Sequence, residues 1–284
     1  LDFLLSSDTP VAINKSMALA QMSAAECFDR HQPDLLVLLG DRFEALAVAC
    51  AATISGVPIA HIHGGELTEA AMDDAFRHAI TKMAHLHFTS TEVYRNRVIQ
   101  LGEQPENVVN VGAPGIDNIK NLPLLNKEQL SDILSIDLSC PYFLVGYHPE
   151  TLSEQDAKAG LRCLLEALNN FPEHKVIITY PNADTFGRAI ITELENYVLT
   201  QPERIHLFES IGQLNFLSAM KHAVALVGNS SSGIIEAPSF NIPTVNIGDR
   251  QKGRIASKSV IHCQTSEESI NQALNKAISP EFLS

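Results

Sequence analysis

Short apolar runs rich in β-branched residues alternate along most of this chain with segments whose apolar residues recur at helical spacing, and this alternation restricts the fold more than any other feature. Each run is too short for a helix and reads as a strand of a covered sheet. Strands separated by helices lie parallel, because a parallel connection needs a crossover. The chain is therefore read as α/β. In the first half the spacing predicts strands over 34–39, 57–62, 86–89 and 108–111, with helices over 11–30, 44–54, 73–84 and 92–101. In the second half it predicts strands over 142–146, 175–180, 205–208, 223–227 and 244–247, with helices over 154–168, 184–197, 213–220 and 231–237. Residues 116–134 form a helical and loop connection, and the polar segment 121–137 is the linker-like shift in composition. The expected organisation is two Rossmann-like, doubly wound domains, 1–120 and 121–284, facing a cleft.

Composition excludes several classes of function. With 45% hydrophobic and 19% charged residues in 284, the chain has the make-up of a globular protein with a real core. A formal charge of −13 argues against nucleic acid and acidic membranes as partners, since both need a basic surface. No apolar run approaches the roughly 20 residues of a membrane span, and the chain does not open on a signal-peptide pattern, so a cytoplasmic protein is expected. Cys27, Cys50, Cys140, Cys163 and Cys263 are scattered without CxxC or Cys/His spacing, which points away from a disulfide framework or a zinc site. The first residue is Leu1 and the first half holds fewer strands than the five or so usual in such a sheet, so the chain is expected to be a fragment.

Ligands of parallel α/β sheets gather at the carboxyl ends of strands, and there this sequence concentrates its polar residues. After strand 223–227 comes Gly228-Asn229-Ser230-Ser231-Ser232-Gly233, opening a helix stopped early by Pro238. Serines there either only cap the helix or help its N–H groups hold a phosphate, and Glu236, one turn on, either faces solvent or accepts hydrogen bonds from a ribose. Asp41, in Gly40-Asp41-Arg42, is a helix cap or an acid–base group. His61-Ile62-His63-Gly64-Gly65-Glu66 ends the next strand. Arg77 and His78 lie on the following helix, facing either solvent or the same cleft. His148, Asn182, and Arg250 with Arg254 follow later strands, the two arginines being an exposed basic loop or a seat for a diphosphate.

Taken in order, Gly40-Asp41-Arg42-Phe43-Glu44, His61 to Glu66, Arg77-His78-Ala79-Ile80-Thr81-Lys82, His148-Pro149, Pro181-Asn182-Ala183-Asp184, Gly228 to Gly233 and Gly248-Asp249-Arg250-Gln251 resemble the UDP-N-acetylglucosamine 2-epimerases, and more closely their hydrolysing branch, which serves sialic and legionaminic acid synthesis. The resemblance runs from about residue 34 to residue 262. It implies a glycosyltransferase-B-like fold, a UDP-sugar substrate and UDP as partners, no metal or nicotinamide cofactor, and a homodimer or homotetramer. It implies elimination of UDP followed by hydration to the free 2-epimer. Carried over by matching motif, Asp41 and His148 are catalytic, Asn182 contacts substrate, Ser230 and Ser231 hold phosphate, Glu236 binds ribose and Arg250 lies near the diphosphate. The chemistry adds Glu66 as an acid–base candidate, with Arg42, His63 and Arg77 as candidate substrate contacts. Where some relatives carry a glutamate this turn has His63, which leaves the second carboxylate to Glu66 or passes its task to His63. The family's first strand and its closing helix are expected beyond Leu1 and Ser284. A glycosyltransferase of the same architecture and a non-catalytic nucleotide-sugar sensor are the competing functions.

Overall fold

The computed structural model describes residues 9–67, 72–148, 154–181 and 187–283, and its chain divides into two compact units, Leu1–Pro114 and Gly115–Ser284. The first unit runs α1 (Pro10–His31), β1 (Leu36–Leu39), α2 (Phe43–Ile54), β2 (Ile59–Ile62), α3 (Met72–Met83), β3 (Leu86–Thr89), α4 (Glu92–Gln100) and β4 (Val108–Asn110). Helix starts are set by local chemistry. The Thr9 hydroxyl accepts from the Ala12 N–H ahead of Pro10, and the Thr91 hydroxyl accepts from the Tyr94 N–H.

The four strands pair in sequence order, all parallel. Right-handed crossovers taken repeatedly in one direction put α2, α3 and α4 on one face. Leu38, His61, His87 and Val108 form a buried row across that face. The alternate row carries Val37, Leu39, Leu86 and Val109, all exposed. Residues 34–39 read as apolar on both faces, yet in this strand only one face is covered among the described residues. Helix α2 is rich in alanine, and its buried Ala49, Ala51 and Ala52 share a core with Phe28 of α1 and Ile59 of β2.

The second unit runs α5 (Pro114–Asn121), α6 (Lys127–Leu134), β5 (Tyr142–Gly146), α7 (Glu154–Asn169), β6 (Lys175–Thr179), α8 (Gly187–Thr200), β7 (Ile205–Phe208), α9 (Gly212–His222), β8 (Ala225–Gly228), α10 (Ser232–Ile235), β9 (Thr244–Ile247), β10 (Val260–Cys263), α11 (Glu267–Ala277) and α12 (Pro280–Leu283). Its six parallel strands take the order β10-β9-β8-β5-β6-β7. Chain direction across the sheet reverses between β5 and β8, the topological switch point at which such folds bind ligands.

Both faces of this sheet are packed. Phe143 and Val145 of β5 join one core with Val227 and Leu161, while Tyr142 and Leu144 join the other with Leu226 and Leu130. Each such side chain contributes on the order of 1.5–3 kcal/mol by leaving water. Gly228 ends β8 at φ +133°, where a Cβ would stand 2.1 Å from the Gly146 carbonyl oxygen, so only glycine lets β5 and β8 close at their carboxyl ends. Helix 231–237 breaks at Ile235 into a 3₁₀ turn, Ala237–Phe240, because Pro238 has no N–H to continue the ladder. The sequence reading stops at residue 247 and misses β10, α11 and α12. The α11 start is legible in retrospect, with Ser266 accepting from the Ser269 N–H and Glu267 and Glu268 in the first turn. Among the described residues no helix is long and apolar enough to cross a membrane.

Candidate functional site

In the first unit the candidate residues collect at the carboxyl ends of β1, β2 and β3. Asp41 follows β1, and its carboxylate accepts a hydrogen bond from the Arg77 guanidinium of α3. Arg77 is 1% exposed, and its other terminal nitrogen lies 3.5 Å from Asp74. A cation this buried needs carboxylates beside it, so the pair settles the alternatives left open for both residues: Asp41 does not cap α2, and Arg77 does not face solvent. Arg42 stands at the α2 N-cap position and pairs with Glu44, Nε to Oε2 3.2 Å.

After β2, His63 takes φ +67° and Gly65 φ +80°. A Cβ on Gly65 would come within 2.4 Å of the Tyr94 carbonyl oxygen, so this turn is built for glycine. The turn brings Glu66 to Ser90, just after β3, where it is 4% exposed. Glu66 Oε1 lies 2.7 Å from His63 Nδ1 and accepts from Ser90 Oγ at 2.9 Å.

His61 ties these elements together. It is fully buried, with Nε2 2.8 Å from the Gly40 carbonyl oxygen, so Nε2 carries the proton and donates. Its Nδ1 lies 3.2 Å from Thr81 Oγ1, and that hydroxyl is also 3.0 Å from the Arg77 carbonyl oxygen. Burial, with smaller contributions from His87 and His63, pushes the imidazole down from 6.5 to about 4, against the raising effects of the Gly40 carbonyl and Glu66. Because the folded state holds this proton less tightly than the unfolded chain, stability is full above about pH 6.5 and falls as the pH drops toward 4. The acid-induced loss between pH 7 and pH 4 is expected to be about 3 kcal/mol larger in the unaltered protein than in His61→Gln, read by denaturant titration at each pH.

In the second unit the candidates meet at the switch point. His148 follows β5 and is 8% exposed. Its main chain is clamped by the fully buried Asn229 side chain: the His148 N–H donates to Asn229 Oδ1 at 2.7 Å, and Asn229 Nδ2 donates to the His148 carbonyl at 2.8 Å. The Asn229 carbonyl in turn accepts from Arg250 Nη1 at 3.1 Å and Gln251 Nε2 at 2.8 Å. Ser230 and Ser231 lead into α10. The expectation that these serines cap the helix is corrected in part: Ser231 makes no side-chain cap bond, and the Ser232 N–H reaches only Ser230 Oγ, at 3.4 Å. Glu236 closes α10 beside Gly115, whose Cβ position is 3.0 Å from Glu236 Oε1. Asn182 lies outside the described residues.

The model of the UDP-N-acetylglucosamine 2-epimerase family matches residues 1–283. This chain belongs to that family. Among curated members, the GDP/UDP-N,N'-diacetylbacillosamine 2-epimerase (hydrolyzing) of Campylobacter jejuni is 40% identical over 282 residues, 99% of this chain and 73% of the relative. The polysialic acid biosynthesis protein P7 of Escherichia coli is 40% identical over 285 residues, 100% of this chain and 72% of the relative. Among solved structures, the UDP-GlcNAc 2-epimerase from Neisseria meningitidis bound to UDP-GlcNAc superposes with a TM-score of 0.80 at 19% identity, covering 99% of this chain and 77% of that one. That likeness fixes the fold as the one shared by the 2-epimerases.

Within this epimerase family member the sequence reading misses Ser90, Asp74 and Asn229 as parts of the site. Ser90 acts on Glu66 across 24 residues, and Asn229 acts on His148 across 81. Asn229 stands in the Gly228 to Gly233 turn, but a small polar residue after a strand signals only a turn until its partner is known.

Proposed function

We propose that this epimerase is of the hydrolysing kind and converts a UDP-linked 2-acetamido sugar, UDP-N-acetylglucosamine or its diacetamido-trideoxy analogue, into UDP and the free 2-epimer. The observation that carries this reading is the 40% identity, over 99% of the chain, to a relative named as hydrolysing.

The chemistry needs three things. A base takes the proton from C2, the electron pair left behind forms the C1=C2 bond, and the C1–O bond to the diphosphate breaks. Water then adds its oxygen to C1 while C2 regains a proton from the opposite face. Acid–base groups, support for the departing negative charge, and a seat for the nucleotide are required. In this reading Asp41, held by Arg77, and the His63–Glu66 pair supply the acid–base groups. His148 supports the leaving diphosphate. Ser230, Ser231 and Arg250 hold the phosphates and Glu236 the ribose, around the β5–β8 switch point. Asn182 contacts the sugar.

Product analysis tests the reading. Incubated with UDP-sugar and no acceptor, the protein is expected to release UDP and free 2-epimer in equal amounts. UDP release only on addition of an acceptor would make it a glycosyltransferase, and a UDP-linked 2-epimer would make it a non-hydrolysing enzyme. The double variant Ser231→Ala with Glu236→Ala is expected to raise the Kd for UDP about 10–100-fold, since two charge-assisted contacts are lost. Calorimetric titration checks this, and an unchanged Kd would remove these residues from the nucleotide seat.

A further inference from the structure

Resting on the epimerase reading, we infer that His63 is the group that takes the C2 proton, and that Glu66 is a positioning residue acting through it. The first observation is burial. Glu66 has a side chain 5% exposed, against 18% for His63, so the imidazole is the more accessible member of the pair. The second is hydrogen bonding. A single carboxylate oxygen, Oε1, receives both His63 Nδ1 at 2.7 Å and Ser90 Oγ at 2.9 Å. A buried carboxylate opposite Nδ1 fixes the tautomer with the proton on Nδ1, and leaves the lone pair on Nε2. Among the described residues Nε2 makes no hydrogen bond. An imidazole oriented from behind by a buried carboxylate, with its other nitrogen open, is the arrangement of a histidine general base, and the carboxylate offsets the charge the ring gains on accepting a proton.

Backbone strain points the same way. His63 holds φ +67°, a left-handed conformation that costs a residue with a Cβ on the order of 1 kcal/mol or more and persists only where the surroundings enforce it. They do so here: the His63 N–H donates to the Phe88 carbonyl at 3.0 Å, and Arg97 donates to the Gly65 carbonyl. The strained turn aims Nδ1 at Glu66. In the elimination step Nε2 accepts the C2 proton, the C–H electron pair becomes the C1=C2 bond, and the C1–O pair departs with UDP, leaving His63 as imidazolium against Glu66.

The left-handed backbone also selects the test. Glycine takes φ +67° without strain, so His63→Gly preserves the turn and opens a space the size of imidazole beside Glu66. Its kcat is expected to fall at least about 100-fold, with KM for the UDP-sugar and Kd for UDP changing by no more than about threefold. Added imidazole is expected to restore kcat about tenfold or more, and that rescue to disappear when Glu66→Gln is combined with His63→Gly. His63→Asn, which also tolerates the left-handed region, is expected to lose the same activity without rescue. A kcat within about threefold of the unaltered enzyme, a change confined to KM, or a loss that imidazole leaves untouched would overturn the inference while leaving the epimerase reading standing. Failure of the unaltered protein to release UDP would instead overturn that reading, and this inference with it.

Discussion

Asp41→Ala is expected to lower kcat/KM for UDP release by about 10³-fold or more and to destabilise the fold at the same time. The two effects share one cause. Asp41 is the partner of Arg77, whose side chain is 2% exposed, so removing the carboxylate takes the nearer of two carboxylates from a buried cation and leaves Asp74 at 3.5 Å. Breaking a fully buried pair costs about 3–5 kcal/mol, and since the Asp41 side chain is 21% exposed about 2 kcal/mol is expected here. Asp41→Asn separates the effects: an amide oxygen still accepts from Arg77, so most of the stability returns, while the acid–base group stays absent. Steady-state kinetics and denaturant melts on both variants check this. Equal activity in Asp41→Asn and the unaltered enzyme would assign Asp41 a purely structural role.

His148→Ala is expected to reduce kcat by about 10²–10⁴-fold while UDP binds within about threefold of its normal Kd. The main chain of His148 keeps its place in this variant because Asn229 holds both its N–H and its carbonyl. Asn229→Ala is the contrasting case. It removes both clamps and leaves buried polar groups unpaired, and with them the register of β5 against the loop after β8 at their ends, so nucleotide binding and turnover fall together. Near-normal turnover in His148→Ala would exclude the residue from the elimination.

Much of the fold is legible in the sequence because its signals are local. The run before Gly228 is apolar, β-branched and short, and it forms β8 two residues later than expected because α9 extends to His222. Sheet order was not legible: parallel crossovers leave open which strand lies beside which, and the adjacency of β5 and β8 is decided by packing on both faces. The same division runs through the site. Asp41, His63, Glu66 and His148 stand out as polar residues at strand ends. Their partners Arg77, Ser90 and Asn229 are brought in by tertiary structure, and those partners decide which candidate is buried, which is oriented and which is open to a ligand. One-sided cover of the first sheet was equally hidden, since an apolar run such as 34–39 reads alike whether one face or two are packed.

The central claim is hydrolytic epimerisation through loss of the C2 proton, and proton NMR of the reaction in deuterium oxide tests it most directly. With UDP-N-acetylglucosamine or the diacetamido-trideoxy analogue, and no acceptor, the expected products are UDP and a free sugar inverted at C2 and carrying deuterium there. A free sugar that keeps both its C2 configuration and its C2 proton would show simple hydrolysis of the anomeric bond and contradict the account.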